Sequence, residues 1–294
     1  MWKKINDFIY SHSILSTLIY SLFFISILSI FGYLVLEIPQ DGLPPGINSL
    51  LPFTILQMAL TSAIIFLMRK LEIFQINDFG IKNFGKGLIL AWVGIIGIFG
   101  TFFMSYFSYN QYPEKIFIFP NIFYLLLVLF HPLIGTALFE ETLFRGLVLK
   151  ILLKKYGHTK NGIILSCVIP SILFGMVHVS NYPLVGISVI SQIIIPIAHG
   201  LFYAALYLRT RTLLVPIFIH GFTNIAHQIF HAIIAPNIFL QIAEAQSQNQ
   251  LQAEVVTFGD VFLILLSTLP YLIAGFILLR KVTPEKIQTN RVYK

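Results

Sequence analysis

The chain has 294 residues, of which 57% are hydrophobic and 11% are charged, and its formal net charge is +7. Soluble domains are about one quarter charged because their surface faces water, so this composition excludes a soluble domain. A single cysteine and the lack of a glycine period exclude a disulfide scaffold and a collagen-like rod, which leaves a polytopic membrane protein.

Eight apolar runs follow one another along the chain, separated by short polar segments, and each is long enough for a membrane-spanning helix of about 20 residues. The uncharged stretch 161–208 is too long for one crossing, and the turn-forming sequence at 180–183 predicts a helical hairpin within it. The fold class is therefore predicted to be an all-α membrane bundle of eight helices. The runs are 13–36, 50–68, 87–109, 120–139, two within 161–208, 213–234 and 255–279.

The basic residues predict the orientation of these helices. If the amino terminus is cytoplasmic and the chain crosses eight times, all of the 19 Lys and Arg residues except Lys115 lie in cytoplasmic segments. Both termini are then cytoplasmic. The basic residues form small groups without interleaved aromatics, which favours membrane orientation over a nucleic-acid partner.

Ionisable side chains are costly in hydrocarbon, so those inside the apolar runs are candidates for function. Glu140 and Glu141 follow the fourth run, and we expect them at the inner end of that helix. Glu141 and Arg145 are four residues apart and can pair on one helical face. Glu140 points about 100° away and is free to face another group.

Two further motifs carry polar side chains on later helices. Phe174 and His178 are spaced i,i+4 on the fifth helix, and His220 and Asn224 have the same spacing on the seventh. Proline precedes each motif by four residues and is expected to break the helix there, as around cavities in membrane proteins. Other polar residues are less informative: His131 and His199 read as structural, with a supporting role beside the site left open for His199. His227 and His231 extend the stripe of His220, and Asp260 reads as interfacial.

The ordered set Glu-Glu-x-x-x-Arg, Phe-x-x-x-His and His-x-x-x-Asn resembles the CAAX protease and bacteriocin-processing (CPBP, or Abi) family of intramembrane endopeptidases, which includes the type II CAAX prenyl proteases. The resemblance covers roughly residues 130–230. It divides the chain into N-terminal helices (1–120), a catalytic core (121–234) and an outer loop with the last helix and a basic tail (235–294).

The resemblance implies peptide-bond hydrolysis near the inner leaflet. Glu140 is the expected general base, with Glu141 held by Arg145 as its support. His178 is expected to position or deprotonate the water. His220 and Asn224 are expected to donate hydrogen bonds to the oxyanion.

A zinc mechanism is the alternative chemistry. His178, His220 and Glu140 offer three ligands and an open fourth position, as in catalytic zinc sites. The compact His-Glu-x-x-His signature is absent from the sequence. The reading without a required cofactor is therefore favoured, with Zn²⁺ left open.

Two other classes of protein remain open. A secondary transporter also places polar residues near broken helices, although its two halves usually carry corresponding motifs, whereas these motifs all lie between residues 140 and 224. A non-catalytic scaffold or immunity protein of the same fold is the other. The expected partners are the lipid bilayer and a peptide or protein substrate that reaches it, and the composition favours a multi-pass protein of a bacterial plasma membrane.

Overall fold

The computed structural model describes residues 2–36, 47–110, 122–181, 189–234 and 258–289, and the regular elements in these ranges are all helical. The helices are α1 (Trp2–Ser11), α2 (Ser13–Leu36), α3 (Ile47–Lys70), α4 (Phe84–Leu90), α5 (Trp92–Asn110), α6 (Ile122–Tyr156), α7 (Lys160–Met176), α8 (Val189–Thr210), α9 (Leu214–Ile234), α10 (Phe258–Arg280) and α11 (Pro284–Thr289). This confirms the predicted all-α class.

Six helices in the described ranges are long and apolar enough to cross a membrane, and the bent pair α4–α5 makes a seventh if it counts as one span. They are Ser13–Gly32, Leu50–Lys70, Ile122–Tyr156, Lys160–Asn181, Val189–Thr210 and Phe262–Arg280. The remaining predicted span coincides with α9, which is helical but is not among the six. A multi-pass membrane protein is thus established, while the count of eight and the cytoplasmic location of both termini stay predictions.

Lipid-facing surfaces explain why the chain is so apolar. Large hydrophobic side chains project outward from the peripheral helices, as with Leu22 (66% exposed), Phe103 (58%) and Leu263 (60%). Such surfaces are unfavourable in water but match the hydrocarbon core of a bilayer.

Helix α6 is the centre of the fold because it contributes to two hydrophobic cores. One core joins α6 to α1, α2 and α3, and the other joins it to α5, α8, α9 and α10. Over its 35 residues α6 is about 50 Å long, longer than the hydrocarbon thickness of about 30 Å. Two π-helical turns, His131–Ala137 and Thr142–Val148, interrupt its regular hydrogen bonding.

The two adjacent glutamates lie near the middle of α6. The sequence places them at the inner end of the predicted fourth span, and the helix itself continues from Glu141 to Tyr156 with every residue over 141–153 buried. Surrounding helices cover this second half, so its polar side chains are shielded by protein. Glu141 is therefore an interior residue of the bundle.

The third predicted span is a broken helix. Helices α4 and α5 meet at Ala91 and differ in direction by 69°. Two glycines of α5 allow close helix contact, since an added Cβ atom would lie 2.6 Å from Ile219 at Gly94 and 1.6 Å from the Tyr271 hydroxyl oxygen at Gly97. Gly100 has no described neighbour within 4 Å of such an atom.

A buried polar network holds the segment between α3 and α4 against the second half of α6. The carboxylate of Asp78 accepts hydrogen bonds from Lys150 Nζ, from the Tyr207 hydroxyl at 2.8 Å and from the Gln75 amide at 2.9 Å. Lys150, which the sequence places among the cytoplasmic basic residues, is fully buried here and also donates to the Ile73 carbonyl at 2.8 Å. Its charge is tolerated because these partners replace water.

Removing one bond of this network should lower stability measurably. We expect Tyr207→Phe to lower the free energy of unfolding by about 1.5–3 kcal/mol, because the lost hydrogen bond ends on a buried carboxylate. Thermal unfolding in detergent checks this. The matched control is Tyr156→Phe, since the Tyr156 hydroxyl has no hydrogen bond among the described residues. Equal unfolding temperatures for the two variants would contradict the assigned strength of the Asp78 network.

Candidate active site

A cavity of about 110 Å³ lies inside the bundle, between α6, α7, α8 and α9. Its volume is sufficient for several water molecules. The residues that line it are Thr136, Glu140, Phe174, His178, Pro196, His199, Tyr203, His220, Thr223 and Asn224. The structure thus brings Glu140, His178, His220 and Asn224, predicted from three separate motifs, to one polar cavity.

Beneath this cavity lies a buried ion pair between neighbouring turns of α6. Arg145 Nη1 donates to Glu141 Oε1 at 3.0 Å, and the two side chains are 1% and 0% exposed. The predicted i,i+4 pairing is therefore confirmed. The Arg145 guanidinium also faces two aromatic rings: its Cζ atom lies 4.6 Å from the ring centroid of Phe174 and 5.5 Å from that of Tyr203. These aromatic faces stabilise a cation that water does not reach.

Glu140 differs from Glu141 in its surroundings. Its side chain is 14% exposed and lines the cavity, whereas that of Glu141 is fully buried. Glu140 Oε2 lies 3.5 Å from Nε2 of His220 on α9. Adjacent residues on a helix point about 100° apart, so one carboxylate supports the structure and its neighbour is available for chemistry.

His220 lies between the two carboxylates. Its Nδ1 atom is 2.9 Å from Glu141 Oε1 and its Nε2 atom faces Glu140. A carboxylate oxygen can only accept, so Nδ1 donates the hydrogen bond to Glu141. The ring is held by stacking on Tyr203, at 5.6 Å between centroids, and by the edge of Phe174. This geometry leaves Nε2 directed toward Glu140 and the cavity.

His178 lies just beyond the end of α7, in the short 3₁₀ segment Val177–Asn181. Its Nδ1 atom donates to the Phe174 carbonyl at 3.0 Å, so the neutral ring has a free lone pair on Nε2. The Asn181 side chain donates to Gln192 Oε1 on α8 at 2.7 Å and attaches the segment to that helix. Together these bonds fix both the tautomer and the position of the imidazole.

The prolines of the two histidine motifs have different effects. Pro170 lies inside α7, where a break in hydrogen bonding was predicted. Pro216 lies in the first turn of α9, which begins at Leu214, so it removes no intrahelical bond and the predicted kink there is wrong.

Asn224 on α9 is partly buried at the cavity, whereas His227, one turn further along the same helix, is exposed. The side chains of His231 and Asp260 lie outside the described residues.

Five residues that line the cavity were not assigned to it from the sequence: Thr136, Pro196, His199, Tyr203 and Thr223. Three of them lie on α8 at spacings of three and four, which is one helical face. That spacing is visible in the uncharged stretch 161–208 and could have identified the cavity-facing side of α8.

His131, read as structural from the sequence, makes hydrogen bonds to Thr54 at 2.8 Å and to Thr136 at 3.3 Å, between α3 and α6.

The side chains offered for zinc do not form a ligand group. Within the described ranges, no three His, Cys, Asp or Glu side chains are arranged to hold a metal ion. Glu140, His178 and His220 are therefore not grouped in this structure as the three-ligand zinc site considered from the sequence.

Comparison with known proteins bears on the segment that forms this cavity. Residues 119–226 match the family model described as "Type II CAAX prenyl endopeptidase Rce1-like". No curated protein and no solved structure matches the chain. The matched segment contains all three motifs and the four side chains that meet at the cavity. Over residues 119–226, this chain is thus similar to the type II CAAX prenyl endopeptidases.

Proposed function

We propose that this protein is an intramembrane endopeptidase that hydrolyses a peptide bond near the cytoplasmic leaflet of the bilayer. The observation that carries the proposal is the convergence of Glu140, His178, His220 and Asn224 on one cavity large enough for water. The similarity of residues 119–226 to a protease family agrees with this chemistry. A peptide bond in a membrane can be hydrolysed only where the protein holds both water and a base.

The base is Glu140, which lines the cavity and takes no part in the buried Glu141–Arg145 ion pair. The carboxylate takes a proton from water as the water oxygen bonds to the carbonyl carbon of the substrate. The carbonyl oxygen then becomes an oxyanion. When the carbon–nitrogen bond breaks, the proton passes from Glu140 to the leaving nitrogen, and the products are a carboxylic acid and an amine.

The other residues of the site divide the supporting tasks. His220 orients Glu140 and shares its proton, and it is itself oriented by Glu141 through Nδ1. The free Nε2 lone pair of His178 accepts a hydrogen bond from the water and aligns it. The amide of Asn224, on the cavity wall one turn from His220, donates to the oxyanion. Arg145 acts at a distance by holding Glu141.

The substrate class follows from the location of the cavity. The site lies inside a bundle whose outer surface faces lipid, so its substrate is a peptide or protein segment that enters the membrane. Such a segment must be extended at the cleaved bond, because its backbone groups need partners when they leave a helix. Polar residues on the cavity wall, such as Thr136 and Thr223, can supply them.

The direct test is proteolysis by purified protein in liposomes. A library of quenched fluorescent peptides, each anchored to the bilayer by a lipid chain, is expected to be cleaved. Cleavage of none of them, by protein whose folding is verified, would oppose the endopeptidase proposal and favour the non-catalytic scaffold.

A chelator separates the two mechanisms. We expect 1,10-phenanthroline to leave the cleavage rate within about twofold of the untreated value, because the catalytic side chains are arranged around a base and not as metal ligands. The control is a chelator complex presaturated with Zn²⁺. Loss of cleavage that added Zn²⁺ restores would overturn the metal-independent mechanism while leaving the endopeptidase activity in place.

A further inference from the structure

The oxyanion of the proposed reaction needs hydrogen-bond donors, and the cavity wall offers one more than the sequence predicted. Removing a single donor of this kind costs enzymes a factor of about 10²–10³ in kcat, so each donor has a measurable effect. The sequence-predicted donors are Asn224 and His220, whose Nδ1 is bonded to Glu141 and whose Nε2 lies 3.5 Å from Glu140. An additional N–H group on the wall would share the charge of the oxyanion with them.

The residue best placed for this task is His199 on α8. It lines the same cavity as Glu140 and Asn224, and it lies within electrostatic reach of His220 and Arg145. Among the described residues, its ring nitrogens have no hydrogen-bond partner. An imidazole always carries at least one N–H group, so His199 brings an unused donor to the cavity.

The ring of His199 is held by packing, as a preorganised donor requires. Its centroid lies 4.1 Å from that of Tyr271 on α10 and 5.8 Å from that of Tyr203. Tyr271 in turn packs closely against α5, since a Cβ atom added to Gly97 would lie 1.6 Å from the Tyr271 hydroxyl oxygen. The imidazole is thereby positioned by three helices, although no hydrogen bond to a described residue fixes it.

The backbone next to His199 is also held in place. Gly200 faces α7 so closely that a Cβ atom would lie 2.9 Å from the Ser171 Cα atom and 3.2 Å from Arg145 Nη2. This contact fixes α8 against the Glu141–Arg145 pair. The distance between the wall that carries His199 and the wall that carries Glu140 is therefore set by tight packing.

We propose that His199 is a further catalytic residue, which donates a hydrogen bond to the carbonyl oxygen of the cleaved peptide bond as negative charge develops there. It acts together with Asn224, which lines the same cavity. The proposal rests on the endopeptidase function proposed above. It adds a residue from outside the three motifs to the reacting groups.

Two variants of His199 separate this role from a structural one. His199→Phe keeps the ring that packs on Tyr271 but has no donor, and we expect kcat to fall about 10²–10³-fold with a nearly unchanged KM and unfolding temperature. His199→Gln keeps an N–H donor but loses the ring, and we expect it to retain the larger share of kcat. A residue needed only for packing would give the opposite order, and that order would overturn the proposal.

A binding measurement makes the result independent of turnover. A peptide with a phosphinate group in place of the cleaved bond carries the anionic oxygen of the tetrahedral intermediate. It is expected to raise the unfolding temperature of the wild type and of His199→Gln, but not of His199→Phe. Equal stabilisation of all three proteins would exclude the donor role. If none of them cleaves peptides but the difference persists, the hydrolytic function fails and the donor assignment stands.

Discussion

Glu140→Gln is expected to reduce proteolysis by about 10³-fold or more while the protein folds normally. The amide has nearly the shape of the carboxylate but cannot take a proton from water, and general-base catalysis contributes about 10²–10⁴-fold. Glu140 is partly exposed to the cavity and forms no part of the buried ion pair, so its neutralisation leaves no buried charge unpaired. Cleavage of membrane-anchored peptides in liposomes measures the rate, and thermal unfolding measures the fold.

Variants of two other glutamates serve as controls for this result. Glu285→Gln, on the exposed surface of α11, is expected to leave the rate unchanged. Glu141→Gln is expected to lower both the rate and the unfolding temperature, because Arg145 loses its partner. If Glu140→Gln cleaved peptides at the wild-type rate, Glu140 could not be the base, and the role of the cavity would have to be reassigned.

Arg145→Met is expected to lower the free energy of unfolding by about 3–5 kcal/mol, since breaking a buried pair leaves an uncompensated charge on the remaining partner. That partner is Glu141, which is fully buried. The loss should appear as a lower unfolding temperature in detergent and a lower yield of folded protein. Arg145→Lys should recover only part of it, because the planar guanidinium also stacks on Phe174 and Tyr203.

The double variant Glu141→Gln with Arg145→Met tests the cause. It removes both charges and keeps an oxygen that accepts from His220, so it is expected to be more stable than Arg145→Met alone. If the double variant were as unstable as the sum of the two single variants, the loss would come from packing around Arg145 and not from the unpaired carboxylate.

Local helical periodicity was sufficient to predict the ion pair. The i,i+4 spacing of Glu141 and Arg145 places both on one face, and the 100° offset of Glu140 separates its role from that of its neighbour. The cavity could be predicted only through the order of the motifs. Depth counted along the helices places His178 and His220 at different levels, and helix tilt, which decides whether they meet, leaves no trace in local sequence.

Long-range contacts account for what the sequence did not reveal. The sequence counts Lys150 among the cytoplasmic cations that orient the helices, yet Lys150 is buried against Asp78, which lies 72 residues away. No local sequence pattern indicates an ion-pair partner so far away in the chain. The bend at Ala91 and the place of His199 at the cavity likewise depend on neighbours from other helices.

The uneven covering of α6 has a consequence for how a substrate arrives. Its second half is enclosed by protein, whereas its first turns expose Ile122 (60%), Phe123 (67%) and Phe130 (51%). In the proposed reaction, a hydrophobic peptide that diffuses in the plane of the bilayer would meet protein along the second half of this helix and exposed apolar side chains along its first turns. The proposed substrate is therefore expected to approach along the first turns of α6, where attached cross-linkers should capture it.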